Sequence, residues 1–149
     1  MLSTIDPEVA AELAPQLRLV TMRLARLLRQ HADTESGLSP SLVSALFTLN
    51  RSGPVTLGRL AELERIQPPS VTRIVAQLEE HGLVVREVDP LDRRVARVRL
   101  TSAAAAAIAD LRTRRNIYLA GRMAELTPGE LDALVEALPV LERLAEADA

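Results

Sequence analysis

The sequence predicts a mainly α fold carrying one small β-hairpin, and three observations predict it. Apolar residues recur at helical spacing through most of the chain, and alternation is confined to a short stretch ending at Leu100. Proline, glycine and capping residues stand where helices should start and stop. A chain of 149 residues that is 48% hydrophobic is long enough for one compact core, and its length favours a single domain over two.

Asp6 and Pro7 form an N-cap and first-turn pair, and Pro15 is then expected to interrupt or restart the helix. A second helical segment follows to about Gln30, with Leu17, Val20, Leu24, Leu27 and Leu28 on one stripe and Arg18, Arg23, Arg26 and Arg29 mostly off it. Residues 33–37 read as a loop. Ser39 and Pro40 begin the next helix, whose buried face is Leu42, Ala45, Leu46 and Leu49, and Arg51-Ser52-Gly53-Pro54 stops it.

Thr56 caps a short helix to about Leu63, and Pro68 and Pro69 open another that ends at Gly82, so the pair is a helix-turn-helix candidate. Residues 83–88 and 95–100 read as strands, the second alternating Ala96, Val98 and Leu100 against Arg97 and Arg99. Asp89-Pro90-Leu91-Asp92-Arg93-Arg94 between them has the chemistry of a hairpin tip. Thr101 caps a long helix running to about Leu126. Thr127-Pro128-Gly129-Glu130 is a capping box for the last helix, which carries Leu131, Leu134, Val135, Leu138, Leu141 and Leu144 on one stripe and is expected to bend at Pro139.

Composition excludes several function classes. The chain has no cysteine, so disulfides, thiolate metal sites and a cysteine redox switch are ruled out. His31 and His81 alone do not make a zinc motif, and neither a metal nor a cofactor is expected. No glycine-rich phosphate loop or histidine-centred triad is visible, which argues against an enzyme. Residues 1–15 carry acids rather than a basic leader, and no apolar run approaches the ~20 residues that span a bilayer, so a cytoplasmic protein with no membrane partner is expected. The net charge of -2 argues against a polycation that coats nucleic acid. Charge distribution is more informative: residues 54–100 hold eight arginines against seven acids, the remainder ten against thirteen. All 18 basic residues are arginine, which a base-composition bias explains more simply than a binding role.

In the helix after Pro68, Val71, Ile74, Val75 and Leu78 fall at i, i+3, i+4 and i+7 and must pack inward. The opposite face then presents Ser70, Thr72, Arg73 and Gln77, which suit either solvent or the edges and phosphates of a major groove. The hairpin favours the groove, because Arg93, Arg94, Arg97 and Arg99 concentrate positive charge just beyond this helix, and a narrow minor groove attracts an inserted arginine.

Ser70-Val71-Thr72-Arg73, Leu78-Glu79-Glu80-His81-Gly82-Leu83-Val84, Asp89-Pro90-Leu91-Asp92-Arg93-Arg94 and Val98-Arg99-Leu100-Thr101, at their combined spacing, resemble the signature of the bacterial MarR family. The likeness runs from about Leu17 to Leu144. It implies a winged helix-turn-helix with terminal dimerisation helices: residues 38–100 as the DNA-binding region, residues 1–37 and 101–149 as dimerisation helices, and the whole of 1–149 as one domain. It also implies a sequence-specific regulator, more often a repressor, that binds an inverted repeat of double-stranded DNA as a homodimer and is released by a small amphipathic or aromatic effector. The helix over residues 68–81 would lie in the major groove, the hairpin would act as a wing, and Arg94 would enter the minor groove while Arg93 touches phosphate. Asp92 either pairs with Arg94 and holds it or is a plain turn aspartate. The expected DNA-binding residues are Pro69, Ser70, Thr72, Arg73, Gln77, Asp92, Arg93 and Arg94.

Two departures from that pattern stand out. Gln67 is a poor N-cap and Pro68-Pro69 stiffens the start of the recognition helix, which alters its angle of approach. Phe47 and Tyr118 are the only aromatic residues, so the effector-binding residues stay unassigned, with Met22 and Phe47 expected in the core. Arg112, Arg114 and Arg115 read as a solvated face more readily than as phosphate or intersubunit contacts. His81, and His31 likewise, are expected to meet carbonyls at helix ends. A module that binds protein rather than DNA is the alternative function.

Overall fold

The computed structural model describes residues 7–146; Asp6, expected as the first N-cap, lies outside them. Helix α1 (Pro7–Asp33) is one helix with Pro15 inside it, which corrects the expected interruption. Proline there removes a single amide donor, and the leucine- and arginine-rich sequence beyond it propagates the helix at little cost. The expected loop is a short 3-10 turn, Thr34–Ser36, closed by Gly37 in the left-handed region at φ 72°.

Helix α2 (Pro40–Ser52) begins at Pro40 as expected, but Ser39 does not cap an amide; its hydroxyl lies 3.1 Å from that of Ser41. A two-residue strand, β1 (Val55–Thr56), precedes α3 (Leu57–Glu64), whose first turn is capped by the Thr56 hydroxyl accepting from the Arg59 N–H at 3.1 Å. Helix α4 (Pro68–Glu80) follows, with Gln67 at its N-cap making no side-chain cap bond. Strands β2 (Val84–Val88) and β3 (Ala96–Leu100) form the hairpin, and β1 pairs antiparallel with β3, giving the order β1-β3-β2. Val84 stands opposite Leu100 and Val88 opposite Ala96. The sequence does not show β1 because two residues carry no periodicity to read.

Thr101 joins the sheet to helix α5 (Ser102–Met123). Its hydroxyl accepts from the Ala104 N–H at 3.3 Å and donates to the Gly82 carbonyl at 2.7 Å, fastening the base of the hairpin to the end of α4. Helix α6 (Pro128–Ala145) starts with the expected capping box between Thr127 and Glu130 and continues as helix through Pro139. The Thr127 N–H and hydroxyl both donate to the Glu130 carboxylate, holding it below the usual glutamate range.

One core organises the middle of the chain. Leu46, Leu49, Leu60, Val71, Val75, Leu78, Val84 and Val98 are fully buried, and Ala104 and Ile108 of α5 close over them. The four α4 residues expected to face inward are all in this core, as are Leu42, Ala45, Leu46 and Leu49 of α2. Each leucine or valine side chain so placed contributes about 1.5–3 kcal/mol relative to exposure. The stripes on α1 and α6 behave differently. Val20, Met22 and Leu24 on α1 are 60%, 58% and 40% exposed, and α6 buries no residue within this chain. Core packing of Met22 is therefore corrected.

Candidate nucleic-acid interface

With Val71, Ile74, Val75 and Leu78 turned into the core, the outward face of α4 is fixed. Pro69, Thr72, Arg73 and Gln77 lie exposed on it and Ser70 is half-buried at its edge. The Thr72 hydroxyl donates to the Pro68 carbonyl at 3.1 Å, which leaves its oxygen free to accept. The Arg73 guanidinium makes no hydrogen bond or ion pair among the described residues. Ser70, Arg73 and Gln77 share an open hollow of about 380 Å³ with Ser41, Ile66 and Glu64, whose carboxylate accepts from the Ser44 hydroxyl at 2.7 Å. The helix thus offers a neutral hydrogen-bonding surface with one unneutralised guanidinium.

The hairpin tip is closed by the Asp89 N–H donating to the Val95 carbonyl at 2.8 Å and the Val95 N–H donating to the Asp92 carbonyl at 3.0 Å. Asp92 Oδ1 accepts from the Arg94 backbone N–H at 3.0 Å and lies 3.5 Å from Arg94 Nε. Asp92 therefore fixes the backbone of Arg94 more firmly than its guanidinium, and the Arg94 side chain is 93% exposed. Arg93 has no partner among the described residues.

The strands neutralise their own arginines. Arg97 Nε meets the buried Asp89 carboxylate at 2.5 Å, Arg99 meets Glu87 at 2.6 Å, and Arg86 meets Glu79 of α4 at 3.2 Å. The expectation that Arg97 and Arg99 add to a free positive charge is corrected: carboxylates across the hairpin absorb them, which leaves, on the wing, Arg93 without a partner among the described residues and Arg94 weakly held by Asp92. The Arg99 guanidinium holds Glu87 below the usual glutamate range and is itself raised by that hydrogen bond. The Arg86–Glu79 pair ties α4 to β2, so helix and wing share one frame.

Of the three α5 arginines expected on a solvated face, Arg112 is exposed, whereas Arg114 and Arg115 are half-buried and paired. Arg115 donates to both carboxylate oxygens of the buried Asp33, at 2.9 and 3.0 Å, and stacks its guanidinium 4.7 Å from the centre of the Phe47 ring. Arg112 lies 5.8 Å from the same ring, and Arg114 bridges Asp110 and Glu35. Sequence spacing places these charges on one helix but says nothing of carboxylates some eighty residues away. His81 Nδ1 lies 2.7 Å from the Gln77 carbonyl, as expected, whereas His31 stacks on Tyr118 with ring centres 4.5 Å apart. Among the described residues no three His, Asp or Glu side chains gather as metal ligands, and no helix is long and apolar enough to cross a membrane.

This arrangement agrees with what the chain is similar to. The MarR family model matches residues 38–96. An HTH-type transcriptional regulator from Mycobacterium tuberculosis is 39% identical over 136 residues, covering 91% of this chain and 94% of that protein. A crystal structure from Pseudomonas aeruginosa superposes with a TM-score of 0.76 at 32% identity, covering 93% of this chain and 97% of its own. At 16% identity and a TM-score of 0.67, over 89% of this chain and 97% of the other, the same fold is found in an S. aureus MepR mutant bound to an oligodeoxyribonucleotide. The chain belongs to the MarR family and is a transcriptional regulator built on a winged helix-turn-helix.

Proposed function

We propose that the protein is a sequence-specific repressor that occupies an inverted-repeat operator as a homodimer, with residues 38–100 reading DNA and residues 1–37 and 101–149 joining the subunits. The observation that carries this reading is the distribution of unneutralised charge. Arg73 on the outward face of α4 and Arg93 and Arg94 at the wing tip are left free or weakly held, while Arg86, Arg97 and Arg99 between them are paired. One free arginine then faces a major groove and two reach the adjacent backbone and minor groove. Pro69, Ser70, Thr72 and Gln77 complete the groove contacts, and Asp92 sets the backbone of Arg94. That a MepR mutant of this fold is bound to an oligodeoxyribonucleotide supports the same use of the fold here.

The dimer reading rests on the apolar stripes of α1 and α6, which this chain leaves exposed and a second copy would cover. Two recognition helices would then meet half-sites about 10 base pairs apart. The small amphipathic or aromatic effector would be taken up in the hollow of about 300 Å³ lined by Arg26, Arg29, Gln30, Asp33, Thr34, Leu38 and Pro40, where α1 meets the DNA-reading region. Such a ligand releases DNA only through different affinities for the two arrangements of the dimer. A cytoplasmic, non-enzymatic regulator without cofactor follows from the same reading.

The test is selection of bound duplexes from fragmented genomic DNA, with the winners titrated against the parent, Arg94→Ala and Arg73→Ala at several salt concentrations. An inverted repeat should be recovered, with affinity that falls with salt. Arg94→Ala should weaken binding markedly, and Arg73→Ala should cost roughly 1–3 kcal/mol and relax discrimination. Enrichment of no sequence by folded protein would favour a protein-binding module instead.

A further inference from the structure

The residue that organises the wing tip is neither of the tip arginines nor Asp92. It is Asp89, immediately after β2, which is buried at 6% exposure. Its Oδ1 accepts the Leu91 backbone N–H at 2.8 Å and that of Asp92 at 3.4 Å, and its Oδ2 takes Arg97 Nε at 2.5 Å. Asp92 in turn accepts the backbone N–H of Arg94. One carboxylate therefore joins the β3 side of the hairpin, through Arg97, to the first half of the tip, and through Asp92 to Arg94.

We propose that Asp89 is a positioning residue for DNA binding: by fastening the wing tip to β3 it holds the Arg94 backbone at the place from which its side chain enters the minor groove. The inference rests on the DNA-binding reading given above. A side chain 93% exposed with a weak partner has many arrangements open to it, so only the fixed backbone limits where it starts from. Affinity gained from a pre-placed tip is lost when that tip must be ordered during binding. The same contacts, Arg97 first and then the Leu91 N–H, hold the Asp89 carboxyl below the usual aspartate range against the opposing effect of burial. The network therefore persists wherever the protein is folded near neutral pH.

The experiment is a double-mutant cycle in the full-length protein, read as affinity for a fluorescently labelled duplex recovered by the genomic selection. Asp89→Ala should weaken binding at least about tenfold in the parent, but lower it by no more than about twofold when Arg94→Ala is already present, because both changes remove one coupled device. Amide exchange at Leu91, Asp92 and Arg94 should accelerate in Asp89→Ala while that of α4 is unchanged. Equal losses in both backgrounds, or parent affinity in Asp89→Ala, would overturn the proposal. Should Asp89→Ala not fold, Asp89→Asn takes its place in the same cycle. Its amide oxygen still accepts the Leu91 N–H while the charge paired with Arg97 is gone, so a loss of about three- to tenfold, again dependent on Arg94, is expected, and an Arg94-independent loss overturns the proposal. Failure of the parent to select any duplex would overturn the DNA-binding reading and this inference together, whereas a parent that binds and an Asp89 variant that binds equally well would overturn this inference alone.

Discussion

Residues 38–100, closed over by α5, and the outer helices α1 and α6 treat apolar side chains in opposite ways. In the middle, every leucine and valine at a helical inward position finds partners in the same chain, and Leu46, Leu60, Val75, Leu78 and Val98 have no measurable exposure. On α6, Leu134, Val135 and Leu138 recur with the same period yet stand 42%, 60% and 55% exposed. Periodicity thus announces a face that must be covered and is silent about which chain covers it. The middle is a finished unit, and the flanks hold apolar surface far beyond what isolated exposed residues explain.

That contrast is broken most severely on α6. Replacing both Leu134 and Leu138 by glutamate should leave the helix content and the melting of the winged core intact while halving the mass seen by light scattering. Operator affinity should fall by about two orders of magnitude, since two linked half-site contacts become independent events. An unchanged mass would show that α6 is covered by something other than a second copy.

A smaller effect is expected where the two regions are tied together. Arg115 of α5 grips Asp33 at the end of α1 and lies over Phe47 of α2, so a single guanidinium touches both regions. Arg115→Ala leaves the Asp33 carboxylate buried without its counter-charge. Losing one partner of a fully buried pair costs about 3–5 kcal/mol, but the Arg115 side chain is 23% exposed and water can reach the vacated position, so about 2 kcal/mol is expected. For a chain of this size that lowers Tm by roughly 4–8 °C. A melting curve that does not move would mean the regions are held by apolar packing alone.

How much of this was legible in the sequence depends on the range over which each interaction acts. The inward face of α4 is a local property: Val71, Ile74, Val75 and Leu78 declare it through spacing, and their burial leaves Arg73 and Gln77 outside whatever the rest of the chain does. The capping box at Thr127 and the stop at Gly82 are local too, which is why they stand where they were expected. Pro15 misleads because its cost, a lost hydrogen bond and the crowding of its ring against the carbonyl of residue 11, about 3 kcal/mol, is set against the cooperativity of a 27-residue helix, and a local rule cannot weigh that. The charges are harder still. Arg97 and Arg99 look free until the register of β2 against β3 sets Glu87 opposite Arg97 and Val85 opposite Arg99, bringing both arginines within reach of carboxylates on the facing strand. Asp89 reads as an ordinary turn aspartate for the same reason, since Arg97 reaches it only once the strands pair.

The smallest expected effect lies at the turn between α3 and α4, within the finished unit. Arg65 has φ 54° and is the only described residue other than glycine in the left-handed region. That backbone costs a side chain-bearing residue roughly 1–2 kcal/mol. Arg65→Gly removes this cost but returns about 0.4–1 kcal/mol of freedom to the unfolded chain. A net gain of about 0.5–1 kcal/mol is therefore expected, visible as a rise in Tm of roughly 1–3 °C by calorimetry. The gain should appear undiminished in the Leu134 and Leu138 double variant, because the turn belongs to the core that one chain completes alone. A gain present in the dimer and absent in the monomer would show that the turn is shaped by the neighbouring subunit, and the boundary between the finished and unfinished regions would have to be redrawn.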